Sequence, residues 1–173
     1  MIIIDLEWTC CKNGEFDQQK CGEIIEIGAV KVADNCSEKV SEFQSFIKPT
    51  ENPILTDFAK SYLHISQEDV DSALPFSEAW PLFLEWLDED GFCSWGCDDL
   101  FRIKRECELN ESEFPFVKHS NLHRLFRCGQ RGMLKRHKLK WHGIRHRAIN
   151  DAITYANIVL AAKPSKINYR KIK

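Results

Sequence analysis

The sequence predicts an α/β layered domain built on a mixed sheet. Three observations predict it. Residues 2–48 hold three apolar or alternating runs that read as strands. Phe76, Trp80, Phe83 and Leu87 fall at helical spacing, as do Ile149, Ala152, Ile153, Ala156 and Leu160. Strands and helices then interleave along 173 residues, enough for one domain with a core.

Ile2, Ile3 and Ile4 read as a buried strand, because β-branched residues suit a pleated surface and no polar residue interrupts them. The run leads directly into Asp5 and Glu7. Residues i and i+2 of a strand share a face, so these carboxylates project side by side from the end of a core strand. There they repel each other and lose solvation, and hard divalent cations are the natural compensation. An isolated pair of acids also fits a strand running out into solvent, so the rest of the chain must decide.

Residues 10–20 are polar and carry Gly14, which predicts a loop. Residues 23–32 form the second strand, Asp34 and Asn35 mark a turn, and 42–48 form the third strand of an antiparallel meander. Pro49 and Pro53 interrupt the pattern. Residues 56–63 read as a short helix starting at Thr56 or Asp57, and 66–72 as a further helical turn with Ser66 and Asp69 in a loose capping box. Residues 76–88 form an amphipathic helix, with Pro81 near its first turn or kinking it, and Gly91 ends it. Residues 92–95 follow as a buried strand. Asp98 or Asp99 opens a helix to about Leu109, and 114–117 read as the last strand. Residues 122–126 and 133–141 read as short helices, and His146 precedes a final helix over about 147–162. The domain is expected to cover 1–162, with 163–173 as a basic, flexible tail.

A formal net charge of −2 hides an asymmetry. Residues 1–117 carry 25 Asp and Glu against 9 Lys and Arg. Residues 118–147 carry 10 Lys and Arg, no acid, and five of the six histidines; 163–173 adds five basic residues and no acid. An acidic body with a basic band suggests a carboxylate metal site beside a surface for a polyanion. The eight cysteines show no paired C-x-x-C spacing, and are read as reduced, buried thiols rather than a metal cluster. No apolar run approaches a membrane span of about 20 residues, and Met1 begins the first strand with no leader, so a cytoplasmic location without a membrane is expected.

Three features can serve Asp5 and Glu7. Asp99, with Asp98 as its neighbouring alternative, follows a strand and begins a helix. Asp151 lies one turn into the last helix, and His146 lies five residues before it. Four carboxylates from separated segments can bind two divalent ions, which about 3.5–4 Å apart activate a water and stabilise the departing oxygen in phosphodiester hydrolysis. A histidine of near-neutral pKa can take the proton of that water. The plainer reading of His146 is a helix-start histidine on a basic surface.

Six segments carry a resemblance to a known family. Asp5 to Cys10 (DLEWTC) resembles the D-F-E-A-T-C opening of DEDDh-type 3′–5′ exonucleases, and Glu23 to Ala29 (EIIEIGA) resembles their second strand. Phe43 to Pro49 (FQSFIKP) and Leu63 to Ser66 (LHIS) are similar to the segments that follow. Ser94 to Asp99 (SWGCDD) resembles S-W-G-x-x-D, and His146 to Ala152 (HRAINDA) resembles H-R-A-x-x-D-A. The match covers about 1–162. It points to the Eri-like and KapD-like subgroup, related to histone mRNA 3′-end exonuclease.

The resemblance implies the RNase H-like exonuclease fold, a five-stranded mixed sheet with helices on both faces. It implies that Asp5, Glu7, Asp99 and Asp151 hold two divalent ions, Mg²⁺ or Mn²⁺, and that His146 is the general base. Asp99 is preferred to Asp98 because the family places its acid three residues after the Trp-Gly glycine. Leu6, Trp8 and Thr9 are expected beside the 3′-terminal nucleotide, with Leu63, His64 and Trp95 along its base. The implied activity is hydrolysis of single-stranded RNA or DNA from the 3′ end to nucleoside 5′-monophosphates, RNA favoured. The alternatives are an inactive nucleic-acid-binding module and a proofreading or repair exonuclease subunit acting on DNA. Three positions depart from the family pattern. Trp8 replaces a small Ala and either narrows the terminal pocket or stacks on a base, His64 replaces Gly or Thr, and Asn150 stands where many relatives have Asp.

Overall fold

A computed structural model describes residues 1–12 and 22–172. The loop expected over 10–20 therefore lies, from residue 13 onward, outside the described residues. The strands are β1 (Ile2–Trp8), β2 (Ile24–Val32), β3 (Lys39–Lys48), β4 (Leu74–Pro75), β5 (Gly91–Ser94), β6 (Lys118–Asn121) and β7 (Arg170–Lys171). The helices are α1 (Asp57–Leu63), α2 (Gln67–Asp71), α3 (Phe76–Trp86), α4 (Asp98–Leu109), α5 (Leu122–Phe126), α6 (Gln130–His137) and α7 (Ala148–Ala162).

The strands form one mixed sheet in the order β4-β3-β2-β1-β5-β6-β7. β1, β2 and β3 form the antiparallel meander, whereas β5 runs parallel to β1 and β6 parallel to β5. The α/β expectation holds, but among the described residues the sheet has seven strands rather than five. The additional strands, β4 and β7, are two residues each and sit at the two edges. Neither carries an alternating or β-branched run, so neither leaves a pattern in the sequence.

The alternation of β1 divides the core. Ile2, Ile4 and Leu6 pack with Trp80 and Phe83 of α3 and Ile103 of α4. Ile3 packs on the opposite face with Val30 and with Ala152, Ile153 and Ala156 of α7. Helices thus cover both faces, as expected. Asp5 and Glu7 continue the Ile3 face, the one covered by α7. Burying a side chain of the size of Ile contributes about 1.5–3 kcal/mol, so the register of β1 is strongly set and with it the aim of its two acids.

Local chemistry sets the helix ends. The Thr56 side chain accepts from the Ala59 N–H and caps α1. Ser66 and Asp69 make a complete capping box on α2. Three expected boundaries are corrected. Helix α3 ends at Trp86, and Gly91 opens β5 instead of closing the helix. Phe114 and Phe116 pack in the core without forming a ladder, and the strand follows them at Lys118–Asn121. Aromatic burial was the signal there, and it reports core rather than pairing. Helix α6 covers Gln130–His137 instead of 133–141, and Lys138 ends it in the left-handed region at φ 55°. At the C-terminus Arg170 pairs with His119 and Lys171 with Lys118, while Ile167 and Tyr169 pack against the core on the α7 side. The seven described cysteines are free thiols, five of them buried. No described helix is long and apolar enough to cross a membrane.

Candidate active site

The parallel pairing of β1 with β5 ends at Ile3 and Cys93, so a crevice opens beyond the carboxyl ends of these two strands. The N-terminus of α4 fills part of it. The Leu6 N–H donates to Asp99 Oδ1 at 3.1 Å, which ties the first turn of α4 to the strand carrying Asp5 and Glu7. Asp99 is buried and Asp98 is exposed. From the other side, α7 brings Asp151, buried in its first turn. Asp151 accepts from Trp141 Nε1 at 2.7 Å and from the His146 N–H at 3.3 Å.

His146 sits on the loop that enters α7, in the left-handed region at φ 61°. Its ring stacks on Tyr62 of α1, with centroids 4.2 Å apart. Donor atoms of Glu7, His146 and Asp151 lie within 4.8 Å of one another. A cavity of about 330 Å³ joins these three to Asp5 and Asp99.

Close approach of α7 to the sheet makes this convergence possible. Gly28 of β2 lies opposite Asp5 in the ladder. A Cβ there would lie 2.2 Å from the backbone of Ala148 and Ile149, the first turn of α7. Beside it, Glu26 is fully buried and faces Glu7 in the register. It accepts from Arg147 Nε at 3.0 Å and Nη2 at 3.2 Å, from the Ala148 N–H at 3.0 Å, and from Gln44 Nε2 at 2.8 Å. This forked pair fixes the entry of α7, and so the positions of His146 and Asp151. Gly28→Ala is expected to lift α7, to destabilise the fold by about 1–3 kcal/mol as overpacking does, and to cost activity beyond that loss. Urea unfolding beside turnover checks both effects.

Electrostatically the site is unfinished by itself. Burial holds Asp5 well above the usual carboxylate range, and Asp99, Glu7, Asp151 and Glu26 push it further. Burial and the same acidic neighbours push Glu7 up to about 9. Burial raises Asp99 to about 7 against the hydrogen bonds from Leu6 and Ser94, and Asp151 to about 6 against those from Trp141 and His146. Among the described residues none of the four has an ion pair with Lys or Arg. Oxygen donors gathered in one cavity, with only Arg147 beside Glu7 and Arg145 beside Asp151 acting against their repulsion, fit a divalent cation that Asp5, Glu7, Asp99 and Asp151 could hold. His146 is lowered by burial and by Arg145 and His64, so the ring is neutral near pH 7.

The family model described as Exonuclease (RNase_T) matches residues 2–159. The chain belongs to this exonuclease family. It is 34% identical over 122 residues to the probable 3′–5′ exonuclease KapD of Bacillus subtilis, covering 67% of this chain and 57% of KapD. It is 39% identical over 87 residues to ERI1 exoribonuclease 2 of Xenopus laevis, covering 50% of this chain and 12% of that protein. The chain therefore spans little more than half of KapD, and a small part of the Xenopus protein. The nuclease domain of 3′hExo, a DEDDh family member bound to rAMP, superposes with a TM-score of 0.85 over 99% of this chain and 95% of that domain, at 24% identity. That likeness carries the RNase H-like fold.

In this exonuclease-family chain the five residues Asp5, Glu7, Asp99, His146 and Asp151 meet in one cavity, together with Leu6, Trp8 and Trp95. Leu63 lines an adjoining cleft that it shares with Glu7 and Trp8. Thr9 and His64 line neither. Thr9 is buried, and its hydroxyl accepts from the Glu23 N–H at 3.0 Å. His64 is the exposed, left-handed C-cap of α1. Trp8 lies under the Arg102 guanidinium, 4.9 Å from its ring centroid. Asn150 donates to the Ile144 carbonyl at 3.0 Å, a bond a carboxylate in its place could not make.

Four residues of the site escaped the sequence reading. Glu26 was visible as a charge at an apolar position of β2, which calls for a buried partner. Tyr62, Trp141 and Arg145 left no comparable signal, since each enters through a tertiary contact. Arg145 lines the cavity with its guanidinium 4.9 Å from the Trp141 ring centroid, and its buried Nε has no hydrogen-bond partner among the described residues.

Proposed function

We propose that this chain is a metal-dependent 3′–5′ exonuclease that shortens single-stranded nucleic acid, RNA before DNA, and releases nucleoside 5′-monophosphates. One observation carries the reading: four carboxylates from β1, α4 and α7, Asp99 and Asp151 buried and Asp5 and Glu7 half-buried, converge on one cavity with His146 and, among the described residues, without an ion pair to Lys or Arg. Divalent cations, Mg²⁺ or Mn²⁺, would supply positive charge among these acids and make an attacking water easier to deprotonate. Asp5, Glu7, Asp99 and Asp151 hold them.

The remaining steps belong to the chain. His146 is neutral near pH 7 and accepts the proton of the attacking water at a ring nitrogen. Tyr62 stacks on the ring and the Asp151 carboxylate accepts from the His146 backbone, so the base is held in place before substrate arrives. The cavity walls at Leu6, Trp8 and Trp95 receive the terminal nucleotide, where an indole can stack on a base. Leu63 lines the adjoining cleft beside Glu7 and Trp8. The Arg145 guanidinium faces the phosphate.

RNA is favoured because relatives at 34–39% identity include an exoribonuclease, and because the 3′hExo domain holds a ribonucleotide. The free thiols suit a reducing compartment, and we place the chain in the cytoplasm. An inactive binding module has no use for the acid set, whose mutual repulsion lowers stability.

The test uses 5′-labelled RNA and DNA strands of one sequence with Mg²⁺. Ladders that shorten from the 3′ end are expected, faster on RNA. His146→Ala should slow them by about 10²–10⁴, the usual contribution of a general base. Intact strands after long incubation with the wild-type chain would overturn the reading.

A further inference from the structure

A second cavity lies outside the carboxylate site. It measures about 500 Å³, within the range of small-ligand pockets. Its walls come from α4, β6, α5 and the C-terminal segment, and they bring Lys104, Arg124, Arg127, Arg170 and Lys171 around one concavity. Among the described residues no Asp or Glu lines it. Arg124 and Arg127 belong to the acid-free band 118–147, and Arg170 and Lys171 to the acid-free terminal stretch. The antiparallel pairing of β7 with β6 joins the two basic stretches. Among the described residues Arg124, Arg127 and Arg170 have no carboxylate partner. Such a concentration of uncompensated positive charge repels itself, and a polyanion relieves it.

We infer that this cavity anchors the phosphodiester backbone of a nucleic-acid strand several nucleotides upstream of its 3′ end. Three features favour a nucleic acid over other anions. Guanidinium groups match phosphate oxygens in a fork. Phe101, at the cavity wall, is 65% exposed and offers a ring on which a base can stack. The first turn of α4 is a shared wall, with Cys97 lining the basic cavity and Asp98 and Asp99 lining the carboxylate cavity. A strand with its 3′ end among the carboxylates can cross that turn and reach the arginines. The anchor is a device for holding longer strands, and this role rests on the exonuclease reading. The binding itself does not.

The experiment compares Arg124→Glu/Arg127→Glu with Lys39→Glu/Lys48→Glu, which changes the net charge equally on β3, away from the cavity. Fluorescence anisotropy in EDTA reads binding of a 12-nucleotide single-stranded RNA without any need for turnover. The arginine variant should bind at least about tenfold more weakly, and its plot of log affinity against log salt should be less steep by about 1.4, two single-strand phosphate contacts. The lysine variant should bind as the wild type does. With Mg²⁺, kcat/KM on the 12-mer should fall with affinity, while a dinucleotide, too short to reach the cavity, is cleaved at the wild-type rate. That unchanged rate also shows the variant to be folded. Equal weakening in both variants, unchanged RNA affinity in the arginine variant, or loss of binding to anionic vesicles in place of RNA would each overturn the inference. A wild-type chain that binds through the arginines yet cleaves neither substrate would sink the exonuclease reading and leave the anchor standing.

Discussion

Asp5→Asn is expected to abolish turnover while raising the melting temperature of the metal-free chain. The two effects have one source. Asp5 is half-buried at the end of β1, and desolvation together with Asp99, Glu7, Asp151 and Glu26 acts to keep it protonated. An amide is nearly the same shape and carries no charge, so the repulsion disappears and the fold gains. The same amide is a poor partner for a hard cation. Losing a cation worth several kcal/mol of transition-state stabilisation, about 4, corresponds to a rate loss of about 10³. Thermal unfolding in EDTA and strand shortening in Mg²⁺, measured on one preparation, check both halves. A variant that loses activity and stability together would point to misfolding, and would contradict the account of Asp5 as a destabilising functional residue.

The second large effect is a pH-dependent stability that divalent cations cancel. Glu7 binds its proton with a pKa of about 9 in the folded chain against an ordinary 4.5. Asp99 and Asp151 are raised in the same sense, to about 7 and about 6 from an ordinary 3.8. A carboxyl with a raised folded pKa holds more protons in the native than in the unfolded chain. Its contribution is fully present below the unfolded value and is lost as pH climbs through the folded one. The metal-free chain should therefore lose melting temperature steadily from about pH 4.5 to pH 9. Mg²⁺ should restore it, and more at pH 8 than at pH 5, because at low pH protons occupy the oxygens the cation needs. At one hundred times its Kd a bound ion adds about 2.7 kcal/mol. Scanning calorimetry from pH 5 to 9, with EDTA and with Mg²⁺, reads the effect. Identical curves with and without the cation at pH 8 would show that the carboxylates bind none.

Much of this was legible in the sequence, for reasons visible in particular residues. The uninterrupted isoleucines of β1 set the register, and the two-residue period then placed Asp5 and Glu7 on one face. Ser66 and Asp69 announced their capping box by spacing alone. Asp99 could be separated from Asp98 only by resemblance until the structure buried one and exposed the other. What stayed hidden depends on contacts between distant segments. Two-residue edge strands have too few positions to show a period, so β4 and β7 left no trace. Phe114 and Phe116 mimicked a strand because core packing and strand pairing both favour aromatic residues. The stack of Tyr62 on His146 joins residues 84 positions apart, and no local pattern encodes it. Glu26 lies between these cases. A charge in a buried strand was readable as an oddity, but its partner Arg147 lies 121 residues away.

The most direct test of the central claim identifies the first product. A single-stranded RNA carrying one labelled phosphate at its last internucleotide linkage is incubated with the chain, first in EDTA and then with Mg²⁺. The label is expected to stay in the strand in EDTA. With Mg²⁺ it should appear in the 3′-terminal nucleoside 5′-monophosphate before any shorter internal fragment forms. Release of the label without added cation, or its appearance in internal fragments first, would contradict a cation-dependent enzyme working from the 3′ end.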